Sequence, residues 1–106
     1  MSGVNEVIHQ AMRLRIMAAL NAISSKKPAI EFTRLKALVG ATDGNLGAHL
    51  ETLERAGYIV VEKRFEERKP QTRVRMSPAG RRAFAEHVAY LREIIDSAGP
   101  EPTVRR

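Results

Sequence analysis

The chain contains no cysteine, which removes disulfides, thiolate metal sites and cysteine nucleophiles together. No uncharged apolar run approaches the roughly 20 residues that span a bilayer. The N-terminal MSGVNEVIHQ has neither the positive flank nor the continuous apolar core of a secretory signal. A cytoplasmic, membrane-free protein is the expectation. Catalytic furniture is equally sparse. Asp43 and Asp96 stand alone, Ser24, Ser25, Ser77 and Ser97 fall in loop or cap contexts with no evident base, and no glycine-rich loop follows a strand. An enzyme is not expected. His9 and the pair Glu86 and His87 are not held at a ligand spacing such as i and i+4, so neither a metal nor another cofactor is expected. Aromatics are few, with three Phe and two Tyr, so a stacking platform for single-stranded RNA is missing. Phe32, Tyr58 and Phe65 fall at core-like positions.

What the chain does have is positive charge. Eighteen Lys and Arg against twelve Asp and Glu leave +6, which favours a polyanionic partner or an anionic surface. Its 106 residues suffice for one domain, expected over 1–97, followed by a flexible tail over 98–106. The most informative stretch runs from Thr42 to Gly57. Leu46, Leu50 and Leu53 recur at helical spacing, with Thr42 able to cap the start and Gly57 to end it. The opposite face carries Gly44, Ala48, Glu51, Thr52 and Arg55, flanked by Asn45 and Gly47. Two glycines in the first turns cost about 1 kcal/mol each relative to alanine. Either they fray or contact something locally, or a bare backbone there sits close to something large. Just upstream, Phe32 to Val39, including Arg34, reads as a second short amphipathic helix across a turn at Gly40 to Thr42. Two helices across a short glycine-bearing turn make a helix-turn-helix, whose second helix enters the major groove.

On either side the periodicities differ. Ile8, Met12, Ile16, Leu20 and Ile23 predict one long helix from about Asn5 to Ile23, with Leu14 and Met17 widening its apolar surface and Arg13 and Arg15 off the stripe. Ser24 to Pro28 is a loop, and Ala29 to Phe32 a short extended stretch able to pair with a later hairpin. After Gly57, Tyr58 to Phe65 and Thr72 to Met76 read as two strands joined by a polar turn over Glu66 to Gln71. Lys63, Arg64, Arg68, Lys69, Arg73 and Arg75 are set against Glu62, Glu66 and Glu67 along that hairpin, either as a solvated cross-strand charge ladder or, beside a groove-reading helix, as a wing that places Arg68 and Lys69 against phosphates or in the adjacent minor groove. Ser77 and Pro78 then start a helix to about Ser97. It carries two neighbouring stripes: Phe84, Val88, Leu91 and Ile95, and Ala83, His87, Tyr90 and Ile94. One stripe packs a small domain, so either the fold wraps both or the surplus packs on a second copy.

The segments TDGNLGAHL (Thr42 to Leu50), LERAGYI (Leu53 to Ile59) and RVRMSPAGR (Arg73 to Arg81) resemble the small stand-alone winged helix-turn-helix transcriptional regulators of the MarR and ArsR kind, over most of the chain from Ile8 to Ile95. The resemblance implies an α+β, mainly helical fold with a two-stranded wing and with N- and C-terminal helices forming a dimer interface. It also implies a homodimer on a partly palindromic duplex operator. The recognition helix would be 42–57 and the basic wing 62–75, the latter on the adjacent backbone or minor groove. On the helices, Arg34, Thr42, Asp43, Asn45, Gly47, Ala48, His49, Thr52 and Arg55 would face or flank DNA. On the wing, Arg64, Arg68, Lys69 and Arg73 would meet phosphates. Ile8 and Met12, with Phe84, His87, Val88, Tyr90, Leu91, Ile94 and Ile95, would form the dimer interface. A small-molecule effector would have to bind between the recognition domain and the dimer helices.

Gly47 stands where such helices commonly have serine, so few side chains remain for direct base contacts and Asn45 is the strongest candidate, able to pair with adenine. His49 is open to two placements, half-buried against a helix or the wing, or reaching the nucleic acid. The rival function is a winged helix serving as a protein-interaction module through its last helix, since the fold hosts both uses.

Overall fold

In the computed structural model, which describes residues 3–23 and 28–98, the helix Asp43–Arg55 turns Leu46, Leu50 and Leu53 inward, all three buried. Its ends follow from local chemistry. The Thr42 hydroxyl accepts from the Asn45 N–H at 3.2 Å, satisfying a donor that has no partner within the first turn. Gly57 takes φ of +83°, and the Tyr58 N–H then reaches back to the Leu53 carbonyl at 3.0 Å. That left-handed closure is one that a side chain resists.

The elements in chain order are α1 (Glu6–His9), α2 (Ala11–Asn21), β1 (Ile30–Glu31), α3 (Phe32–Val39), α4 (Asp43–Arg55), β2 (Ile59–Glu66), β3 (Lys69–Met76) and α5 (Pro78–Ala98). Helices α2, α3 and α4 surround a core of Ile8, Ile16, Met17, Leu20, Leu35, Leu46 and Leu53, closed by Val74 of the sheet. The sheet is antiparallel in the order β1-β3-β2. Its short first strand pairs Ile30 with Val74 and Glu31 with Arg73, so the extended stretch before α3 does become an edge of the hairpin. The architecture is the mainly helical α+β fold, with a hairpin wing after the helix-turn-helix, that the resemblance implies.

Three details depart from the pattern. The expected helix over 5–23 is broken at Gln10, which is extended (φ −65°, ψ 134°), and its side chain caps α2 by accepting from Arg13 N–H at 2.8 Å. The break lets α1 swing Ile8 into the core, fully buried beside Ile16 and Leu20. The hairpin turn is tighter than Glu66 to Gln71. Glu66 pairs with Lys69, leaving only Glu67 and Arg68 in the turn, both at positive φ (52° and 68°). This is the handedness that matches strand twist in a two-residue hairpin. Pro70 falls opposite Phe65, one step from the hydrogen-bonded closing pair. Ladder bonds alternate, so its missing N–H points away from β2 and nothing is lost. Finally, Phe65 is not in the core: it is 76% exposed. Of the expected loop, Ser24 to Lys27 lie outside the described residues, as does the expected tail beyond Ala98, which itself ends α5.

Helix α5 is seated by a backbone junction. The Ser77 hydroxyl donates to the Gly57 carbonyl at 2.6 Å and accepts from the Gly80 N–H at 2.9 Å, while the Ser77 N–H donates to the Tyr58 carbonyl at 3.0 Å. Gly80 lies so close to Tyr58 that a Cβ would stand 2.0 Å from its carbonyl oxygen. Since the obstacle is backbone, it cannot rotate away. Gly80→Ala is expected to destabilise the chain by about 1–3 kcal/mol, measured by urea denaturation. An unchanged midpoint would mean that α5 can lift off this junction at little cost.

Candidate nucleic-acid interface

The exposed face of α4 carries Gly44, Asn45, Gly47, Ala48, Glu51 and Arg55. A Cβ added at Gly44 or Gly47 meets nothing within 4 Å. Packing inside the chain therefore does not require either glycine, and the backbone of the first two turns is open to a partner. Several polar groups on this face are already engaged. Asp43 is ion-paired with Lys36 at 2.5 Å, Arg55 with Glu51 at 3.8 Å, and the Thr52 hydroxyl donates to the Ala48 carbonyl at 3.3 Å. Thr42 is occupied as the cap. Asn45 is exposed at the start of the helix, and Arg34 is exposed on α3.

Strand alternation sorts the wing into two faces. Ile59, Val61, Lys63 and Phe65 share one, and Val61, Lys63 and Thr72 line a groove of 480 Å³ against Phe32, Gly47, Leu50, Glu51 and Glu54. That face looks toward α4. Arg64 and Arg73 lie on the other, Arg64 ion-paired with Glu66 at 3.8 Å and Arg73 donating to the Gln71 side chain at 2.9 Å. Arg75, on the same face, pairs with Glu62 at 4.0 Å. Of the four wing cations expected at phosphates, Arg68 and Lys69 stand at the tip, whereas Arg64 and Arg73 are separated from α4 by the thickness of the sheet. Lys63 and Phe65, absent from the expected contacts, hold the nearer face. The alternation that places them was readable, but the side facing α4 was not.

His49 takes the first of its two placements. It is half-buried, and its Nδ1 lies 3.2 Å from an Arg13 guanidinium nitrogen of α2. Arg13 also donates through Nε to the Val7 carbonyl at 2.5 Å. Asn5 extends this tie. Its side-chain amide donates to the Tyr58 hydroxyl at 3.0 Å, its side-chain oxygen accepts from the Ile8 N–H at 3.1 Å, and its backbone N–H donates to His87 Nδ1 at 3.2 Å. His87 Nε2 faces His9 Nδ1 at 3.4 Å, and the His87 ring stacks on Tyr90. His87 and Ile8 are therefore core residues with no exposed surface, and neither can touch a second chain directly. Of the two stripes on α5, Ala83 and His87 face the chain itself. Phe84, Val88, Tyr90 and Leu91 stay half-buried, as does Met12, and Ile94 and Ile95 are 46% and 68% exposed. Among the described residues no group of His, Asp and Glu is placed to hold a metal ion, and no helix is long and apolar enough to cross a membrane.

Residues 12–95 match the family model of the winged helix DNA-binding domain. An uncharacterised protein of Methanocaldococcus jannaschii is 30% identical over 90 residues, covering 85% of this chain and 90% of that protein. A solved transcriptional regulator homologue from Pyrococcus horikoshii superposes with a TM-score of 0.78 at 26% identity, over 88% of each chain. A MarR-family regulator structure from Porphyromonas gingivalis shares the fold, with a TM-score of 0.63 at 20% identity over 92% of this chain and 86% of that one.

The two histidines make the packing of α1 sensitive to acid. Each accepts at Nδ1 from a donor held in place, Asn5 N–H or Arg13, which suits the neutral ring and opposes a proton there. Burial, then the neighbouring His9, lowers the pKa of His87 against an opposing pull from Glu6; burial, then Arg13, lowers that of His49. The unfolded chain, with ordinary histidines near 6.5, binds these protons first. The stabilisation is thus complete above that value and declines as pH falls below it, until the folded-state pKa values are passed. The melting temperature is expected to fall between pH 7.5 and 5.5, with a shallower fall in His87→Gln. A flat profile in the wild-type chain would refute the tautomers assigned.

Proposed function

The chain belongs to the winged helix DNA-binding domain family, and from that premise we propose that it is a transcriptional regulator binding a partly palindromic duplex operator as a homodimer. Helix α4 lies in the major groove, and the wing tip, Arg68 and Lys69, lies on the adjacent backbone or minor groove. The observation that carries this reading is the open backbone of α4. Two glycines that the chain does not need for its own packing sit on the exposed face of its first turns, where a helix approaches base edges. With Asn45 the main candidate for direct base contact there, affinity comes largely from phosphates and specificity partly from DNA shape.

The dimer reading rests on α5. Twenty-one residues extend it about 31 Å, and only Gly80, Ala83 and His87 are buried against the rest of the chain. The apolar run Phe84, Val88, Leu91, Ile94 and Ile95 goes from half-buried to exposed along the helix, and a stripe of that length left incompletely covered favours a second copy. Two recognition helices held by such a pair reach half-sites about one helical turn apart.

Selection from a pool of random duplexes at two salt concentrations tests the whole reading. An inverted repeat of that spacing is expected from the wild-type chain, and Leu91→Asp should be monomeric by light scattering and lose the repeat. Enrichment of nothing, with binding lost steeply in salt, would leave a nonspecific DNA coater; no binding at low salt would favour a protein-interaction module. Gly47→Ala separates folding from binding. It should raise stability by about 0.5–1 kcal/mol, because a glycine is removed from a helix with room for the methyl, yet weaken operator binding about fivefold, or 1 kcal/mol. Equal or tighter binding would mean that the backbone does not approach the groove.

A further inference from the structure

Phe65 is the most exposed large apolar side chain among the described residues. It lies two positions beyond Lys63 on the wing face that looks toward α4, about 13 Å farther out than Val61. Directly opposite stands Pro70. The two form a pair without ladder bonds, where cross-strand side chains come closest, so the phenyl and pyrrolidine rings make one apolar ridge.

Charges of both signs border that ridge, Glu66 and Glu67 lining one cavity with Lys69 and Pro70, and cations are in excess. Lys63, Arg68 and Lys69 have no ion-pair partner among the described residues, whereas Arg64 on the far face is paired with Glu66. The two-residue turn beside the ridge, Glu67 and Arg68 at positive φ, keeps the hairpin tight up to its tip. An apolar ridge bordered by uncommitted cations fits a partner that is anionic along its edges and apolar within. The minor groove of duplex DNA has that form, with phosphates at the rim and deoxyribose and base edges inside. It also lies beside the segment that α4 would occupy.

Resting on the DNA-binding reading above, we propose that Phe65, backed by Pro70, is a wedge that enters the minor groove next to each major-groove half-site and reads the flexibility of the base step beneath it. Pyrimidine–purine steps open at lower cost than stiff A-tracts, and apolar side chains inserted at such steps unstack them and bend the duplex. The wedge supplies sequence discrimination without a hydrogen bond. That complements an α4 whose exposed face is poor in side chains able to donate or accept.

The test uses the duplex selected by the wild-type chain. A TA step is scanned through the positions outside one half-site, against AA at the same places, with 2-aminopurine reporting unstacking. The wild-type chain is expected to prefer TA at one position by about tenfold, with a rise in 2-aminopurine fluorescence there. Phe65→Ala should melt at the wild-type temperature and keep the half-site preference, but lose both the TA preference and the fluorescence rise. Lys63→Ala should weaken every duplex alike and lower the salt slope by about 1, leaving the TA preference in place. A Phe65→Ala chain that retains the preference overturns the wedge, as does a wild-type chain that binds its half-sites with no preference outside them; in both cases DNA binding stands. A wild-type chain that binds no duplex overturns the DNA reading and the wedge with it.

Discussion

Three working parts of the molecule meet at one serine. Ser77 donates to the carbonyl of Gly57, which closes α4, its N–H donates to the carbonyl of Tyr58, which opens into β2, and its hydroxyl caps α5 by accepting from Gly80. Helix α4, the hairpin and α5 are thus held in register by backbone groups within a few residues of each other. Gly80 permits this because no side chain separates α5 from the Tyr58 carbonyl. Such a joint is short and has little freedom. The angle between α4 and the wing is set here, and so is the direction in which α5 leaves the domain.

A second tie starts from the N-terminal segment. Asn5, which caps α1, reaches α5 through His87 and the Tyr58 hydroxyl just before β2, while Arg13 of α2 joins the Val7 carbonyl of α1 to His49 of α4. These contacts join the helix that would face DNA to the helix that would face a second copy, through buried or half-buried polar groups whose partners are fixed. Neutral imidazoles satisfy them and charged ones do not. His87, with no exposed surface, and the half-buried His49 thus both hold the N-terminal segment.

The outer surface follows a different economy. Glycines at the start of α4, an exposed phenyl ring on the wing and apolar residues over the last turns of α5 each leave folding stability unclaimed. None is repaired by contacts within the chain. Each lies outside a core complete without it, and the partner readings rest on that.

Periodicity was enough to read the helices of the core, because Leu46, Leu50 and Leu53 or Ile16 and Leu20 must lie on one side of a 3.6-residue turn wherever the helix packs. Capping residues placed both ends of α4 and the start of α5 for the same local reason. The helix break at Gln10 was not legible, since glutamine is an ordinary helix residue and only the burial of Ile8 favours bending there. Nor was the side that each stripe of α5 faces. Ala83 with His87, and Phe84 with Val88, are equally periodic, and the choice fell to the first because Asn5 supplies a donor to a buried imidazole. Phe65 continues the inward alternation of Ile59 and Val61, yet it stands in water, because α4 and the sheet core end before the wing does. Local sequence determined which residues share a face; only the tertiary packing decided which faces meet another surface, because that depends on the length and direction of neighbouring elements far away in the chain.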